Sequence, residues 1–478
     1  MTSTPEAAAA ATTATPVSAA DLTATELLAR FHTGELSPVE ATEATLARIA
    51  EADQAVNAFC LVDRERALQQ ARASEARWAR GEPDGALDGV PTSIKDIFLT
   101  KDWPTLRGSR TVEPAQSWTV DAPTVARLRE HNAVFVGKTT TPELAWKGVT
   151  DNTLSGITRN PWNTARTPGG SSGGAAAAVA LGMAPLAIGT DGGGSVRIPA
   201  AFCGIFTIKP TYGLIPHYPA SPFGTLAHAG PMTTTVTETA LMLDVLTGPD
   251  SRDWSALAQP AGSFLDGLDD GVRGLRIAFS PDLGFAHADP EVAEAVARAA
   301  EVFTELGATV ERADPGFSDP VADFHVLWFA GAAKSVEHLD ERQRQLLDPG
   351  LREIVEQGLT YSAQDYLEAT NTRMALGQRM GAFHETYDLL LTPTVGIPPF
   401  EAGLEAPAGS DSPRWTGWTP FTYPFNMTQQ PASSVPCGFT SHGLPIGLQI
   451  VGPRHGDARV LRASRAFEQA RPWSRPRR

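Results

Sequence analysis

Three short runs of this sequence carry side chains able to do covalent chemistry: Gly89-Val90-Pro91-Thr92-Ser93-Ile94-Lys95-Asp96, Gly169-Gly170-Ser171-Ser172-Gly173-Gly174, and Gly189-Thr190-Asp191-Gly192-Gly193-Gly194-Ser195. A serine hydroxyl becomes a useful nucleophile only when a neighbouring base takes its proton. Taken singly, a Gly-Ser cluster is most often a turn, and Lys95 beside Asp96 is most often a surface ion pair. Two features oppose that reading. The second run leads straight into Ala175-Ala176-Ala177-Ala178-Val179-Ala180, a small-residue helix suited to close packing. The third run sets three glycines before Ser195, so successive backbone N–H groups can turn inward as a nest for a developing oxyanion.

Spacing excludes several other chemistries. Neither glycine run supplies the G-x-x-x-x-G-K-[ST] of a phosphate loop or the G-x-G-x-x-G of a dinucleotide site. Gly169 to Gly173 does fit G-x-S-x-G, the nucleophile elbow of α/β-hydrolases, but Asn160 to Pro168 before it cannot be the required strand. His217 and His228 are scattered and read as hydrogen-bonded structural histidines rather than members of a Ser-His-Asp triad. Cys203, within Ala-Phe-Cys-Gly-Ile-Phe, reads as a buried, inert thiol. H-E-x-x-H and paired C-x-x-C patterns are missing, so neither a metal nor an organic cofactor is expected.

The three runs, in this order and with the 24-residue step from Ser171 to Ser195, resemble the amidase signature family. Leu389-Leu390-Leu391-Thr392-Pro393-Thr394 and the stretch from Pro431 to Gly452 resemble it too, so the likeness covers most of residues 75–240 and 385–455. The resemblance implies a Ser195 nucleophile, a bridging Ser171 preceded by a cis peptide, and Lys95 as base. It implies an oxyanion hole from the N–H groups of Gly192, Gly193, Gly194 and Ser195, with Ser172, Asp191 and Arg197 holding the loops. Lysine can act as base only when neutral, so burial must lower its ordinary pKa of about 10.4. Gly192 departs from the family pattern, which usually has a larger residue there, often Thr. Gln429-Gln430 and Thr234 also depart, at positions expected to touch substrate selection.

The elements needed to hold these residues are visible in the patterning. Ser37-Pro38-Val39-Glu40 is a capping box with proline at the first helical position. Ala133 to Val136 and Leu186 to Gly189 read as buried strands ended by glycine. Leu275 to Phe279, a helix opened by Asp289-Pro290 with Val292, Val296, Ala299, Phe303 and Leu306 on its apolar face, and a strand from Thr309 make a β-α-β unit. Further strands are expected at Asp388 to Thr392 and Leu444 to Val451. The pattern predicts an α/β protein with a mixed sheet covered by helices on both faces, as the family resemblance also implies. Residues 1–20, with Glu6 as their one charged side chain, read as a disordered tail, and residues 21–478 as a single domain.

Composition narrows the partners. The balance of 39 basic and 54 acidic residues gives a formal charge of −15, which opposes nucleic acid and anionic membrane surfaces. The apolar stretch from Ala175 to Gly189 is short and broken by Pro185, too little for a membrane span. Three cysteines, Cys60, Cys203 and Cys437, fit a reducing compartment, and the N-terminus, whose one charged side chain is acidic, lacks the basic region of a secretory signal. A cytoplasmic enzyme, monomer or homodimer, is expected. The expected substrates are aryl or alkyl amides, with carbamates and esters as analogues. The other activities open to the resembling family are those of a glutaminyl-tRNA amidotransferase component, which acts within a complex, and outside it the α/β-hydrolase esterase reading. Trp146, Trp415, Trp418 and Phe421, with Gln429, are the expected walls of an apolar substrate pocket.

Overall fold

The computed structural model describes residues 18–476. The strands are β1 (Phe59–Val62), β2 (Pro91–Lys95), β3 (Val134–Thr139), β4 (Asp151–Asn152), β5 (Gly156–Ile157), β6 (Leu186–Asp191) and β7 (Phe206–Lys209). They continue with β8 (His228–Thr233), β9 (Arg276–Phe279), β10 (Thr309–Arg312), β11 (Leu389–Pro393), β12 (Ala432–Phe439) and β13 (Pro445–Val451). Eleven of them form one sheet in the order β1-β3-β2-β6-β8-β7-β12-β13-β11-β9-β10, while β4 and β5 pair as a small hairpin. The sheet is mixed: β2 runs parallel to β3 and β6, β9 parallel to β10 and β11, and the centre is antiparallel.

Alternation along the strands explains why helices cover both faces. Leu186 and Ile188 of β6 enter the largest core cluster, and Ala187 between them enters a different one with Ala175, Ala176 and Val179. Likewise Leu389 and Leu391 of β11 join the large core while Leu390 joins a cluster with Phe421 and Phe425. Successive side chains point to opposite faces, so each strand needs apolar cover twice.

The expected local signals shape the elements around the site. Ser37 and Glu40 close a capping box on the helix Pro38–Val56, and Asp289 caps the helix Pro290–Glu305 with Pro290 in its first turn. The alanine run forms the helix Gly173–Ala180, every residue of it buried. Most of the expected tail lies outside the described residues; Ala19–Asp21 already forms a 3-10 turn with Ala20 buried. No helix among the described residues is long and apolar enough to cross a membrane.

Candidate active site

Because β2 and β6 are parallel, with Ile94 opposite Ile188, their C-terminal ends reach the same edge of the sheet. Lys95 ends β2, and Thr190 and Asp191 end β6, so strand pairing alone sets an amine beside a hydroxyl and a carboxylate. Lys95 is fully buried. Its Nζ lies 2.7 Å from Ser171 Oγ, 2.9 Å from Ser172 Oγ and 2.8 Å from Thr190 Oγ1. Burial pushes the amine well below the usual lysine range, against the smaller upward pull of Asp191. An amine that has given up its extra proton has two N–H donors and one lone pair, so among these three hydroxyls it can donate to two and accept from the third.

Ser171 reaches this amine from the loop ahead of the helix Gly173–Ala180, after a cis Gly170–Ser171 peptide bond. The loop is held from outside: Thr150 Oγ1 donates to Gly169 O at 2.8 Å and accepts from Gly173 N at 3.0 Å. A Cβ on Gly170 would fall 2.4 Å from the Val149 carbonyl, so only glycine lets the backbone come this close. No strand leads into Ser171, and the elbow geometry of an α/β-hydrolase is therefore excluded.

Ser195 follows the glycine run at the end of β6 and is 5% exposed. It lines the same cavity as Ser171, Thr190 and Gly192, about 560 Å³ in volume. Asp191 organises the turn that carries Ser195. One of its oxygens accepts from Gly194 N at 2.8 Å, and the other from Val196 N at 3.3 Å. Arg197 donates Nε and a terminal nitrogen to the two oxygens, each at 3.0 Å, and reaches Gln449 at 2.7 Å and Asn426 at 2.6 Å. Burial acts to raise the Asp191 pKa, but the Arg197 charge and hydrogen bonds, with Lys209 and Asn426, outweigh it and hold the carboxyl far below its ordinary range. Ser172 bridges Lys95 and the Thr190 backbone.

The oxyanion donor set is narrower than the sequence implied. Gly194 has φ of 129° and spends its N–H on Asp191, so Gly192, Gly193 and Ser195 keep their amides unused among the described residues. No hydrogen bond joins Ser171 to Ser195 among the described residues; the Lys95–Ser171 link is already made. Of the two histidines, His217 lines the cavity, where it meets Phe98 edge-on at 6.2 Å, and His228 does not. His228 Nδ1 sits 2.8 Å from Leu226 O and its Nε2 3.5 Å from Lys209 Nζ, while burial and then the Lys209 charge push its pKa well down. The Cys203 thiol is buried against Pro168 O, and burial pushes it well above the thiol range.

The expected aromatic pocket needs correction. Trp146, Trp415, Trp418 and Phe421 are each 6% exposed or less, and none lines the cavity. The Trp-rich segment buries itself as a 3-10 turn, Trp415–Trp418, because its large apolar area is better satisfied behind the glycine loop than beside it. Trp418 stacks on Phe202 at 5.8 Å, Trp415 meets Trp328 edge-on at 5.6 Å, and Phe421 packs with Phe425 and Leu390. Gln429 also lies off the cavity, with φ of 63° in the turn that receives Tyr212 N. The wall is built instead by Phe98, Tyr218, Phe223 and Trp328, with Arg107 half-buried among them. Trp328 comes from the helix Val321–Ser335, in a region whose sequence carried no chemical pattern. It fills the space beside Gly192, where a Cβ would fall 2.7 Å from the indole ring, and it stacks on Phe223 at 3.9 Å.

The amidase family model matches residues 40–461. The chain is 40% identical over 460 residues to an acylamidase of Rhodococcus erythropolis, covering 95% of this chain and 96% of that one. The chain belongs to the amidase signature family. It is an amide-hydrolysing enzyme. A glutamyl-tRNA(Gln) amidotransferase subunit of Myxococcus xanthus (strain DK1622) is 37% identical to this amidase, with 95% and 98% of the two chains covered. A bacterial aryl acylamidase of the same family superposes with a TM-score of 0.89 at 33% identity, over 95% of this chain and 96% of the other.

Proposed function

We propose that this amidase hydrolyses aryl and alkyl amides through an acyl-enzyme on Ser195, with Ser171 relaying protons to Lys95. The 2.7 Å contact between Lys95 Nζ and Ser171 Oγ, in the cavity that Ser195 also lines, carries this reading. Ser195 Oγ attacks the carbonyl carbon as its proton passes to Ser171 Oγ and the Ser171 proton passes to neutral Lys95. The tetrahedral oxygen takes hydrogen bonds from the Gly192, Gly193 and Ser195 amides. As the C–N bond breaks, the proton returns through Ser171 to the departing amine. Water then attacks the acyl-enzyme with the same relay, which frees the acid and restores Ser195.

The aromatic wall of Phe98, Phe223 and Trp328 supports apolar groups flanking the scissile bond, since each buried methylene adds roughly 0.8 kcal/mol. Carbamates and esters present the same carbonyl and are expected as slower or parallel substrates. The R. erythropolis acylamidase and the aryl acylamidase structure support this choice. The M. xanthus relative supports a second reading, an amidotransferase component that works within a complex. Assay of the purified chain alone against anilides of increasing acyl length separates them. Turnover that rises from acetanilide to longer acyl groups is expected; no turnover without added partners would favour the amidotransferase.

A further inference from the structure

We infer that Arg107 is a specificity residue that binds a carboxylate on the substrate, so that the preferred amides carry an acidic group away from the scissile bond. The inference rests on the amidase reading above and adds a charge to its apolar pocket. Arg107 lines the cavity that holds Ser171 and Ser195, in the loop after β2. Among the described residues its guanidinium has no hydrogen bond, ion pair or ring contact; only its backbone carbonyl is used, by Leu144 N.

The neighbouring charges are already committed. Asp96, the carboxylate that acts on Arg107 electrostatically, pairs with Lys138 Nζ at 3.0 Å. Lys334, the other cation on the cavity wall, is mostly exposed and pairs with Glu337. Other arginines near the site are tied down: Arg197 to Asp191, and Arg373 to Thr225 and Met427. Burial lowers the Arg107 pKa, which means that the cation lacks full solvation and gains from an anion.

A half-buried guanidinium left with five unused donors beside aromatic rings is suited to one planar carboxylate, which it grips with two parallel N–H···O bonds. An amphipathic amide fits the whole wall: its apolar part lies along Phe98, Phe223 and Trp328, and its carboxylate reaches Arg107.

Two matched substrate pairs test this, one with the acid in the amine half (4-acetamidobenzoate against 4-acetamidotoluene) and one with it in the acyl half (N-phenylsuccinamate against valeranilide). The readout is the ratio of kcat/KM for the acid to that for its neutral partner, in the wild-type chain and in Arg107→Met and Arg107→Lys. In at least one pair, Arg107→Met should lower the ratio at least about tenfold, mainly through KM, and Arg107→Lys should keep part of it. A ratio that Arg107→Met leaves unchanged in both pairs overturns the assignment while leaving the amidase reading intact. Failure of the wild-type chain to hydrolyse any of the four overturns the amidase reading itself.

Discussion

At the scale of single residues, the proposed mechanism depends on one amine kept neutral and one carboxylate kept charged. Lys95 is lowered by burial, so activity should fall as pH drops and its amine takes up a proton, which empties the lone pair that Ser171 needs. Lys95→Met keeps the volume and removes the base. Turnover should fall about 10²–10⁴-fold, with circular dichroism still reporting a folded chain, and the acidic limb of the pH profile should vanish. Equal loss of folding and activity would make Lys95 structural. Asp191 works in the opposite sense. Its folded pKa lies far below the unfolded value of about 3.9, so its contribution to stability is fully present above that pH and is lost as pH falls further. Asp191→Ala strands the buried Arg197 guanidinium and should cost about 3–5 kcal/mol in denaturant unfolding. A cost below about 1 kcal/mol would mean that the pair does not hold the loop.

At the scale of elements, the helix Val321–Ser335 and the glycine loop after β6 share one space. Trp328 fills what a side chain at 192 would occupy. Gly192→Thr should therefore displace the indole and lower activity on long-chain anilides, while Gly192→Thr with Trp328→Ala should recover part of the loss. Additive effects of the two substitutions, measured as kcat/KM in a double-mutant cycle, would contradict the shared space. This pairing also marks how far the sequence could be read. Lys95, Ser171 and Ser195 were legible because each sits in a dense local pattern, and the strands β3 and β6 because each is a short apolar run ended by glycine; β2, whose residues are part of the Lys95 pattern, was not read as a strand. Trp328 and Arg107 were not, since an apolar helix and a lone arginine look ordinary until the fold brings them to the cavity. Trp415 and Trp418 misled for the complementary reason: aromatic density reports buried area, and local sequence does not say on which side of the glycine loop that area is buried.

At the scale of the whole molecule, the proposed chemistry uses serines, a lysine and backbone amides, all delivered to one edge of an eleven-stranded sheet. Among the described residues no group of three or more His, Cys, Asp or Glu side chains is arranged to hold a metal ion. Turnover should persist after dialysis against EDTA; loss of activity restored by added zinc would break the account. The formal charge of −15 sets the chain against polyanions, so anilide hydrolysis should proceed at the same rate with and without added tRNA. Inhibition by tRNA that weakens as salt is raised would contradict this.

In the proposed mechanism Ser195 carries the acyl group and Ser171 only relays its proton. Labelling the intact chain with a fluorophosphonate, followed by peptide mass mapping, tests it most directly. The adduct should sit on Ser195, should form more slowly in Ser171→Ala at the same site, and should be absent in Ser195→Ala. An adduct on Ser171, or one that survives Ser195→Ala, would contradict the account.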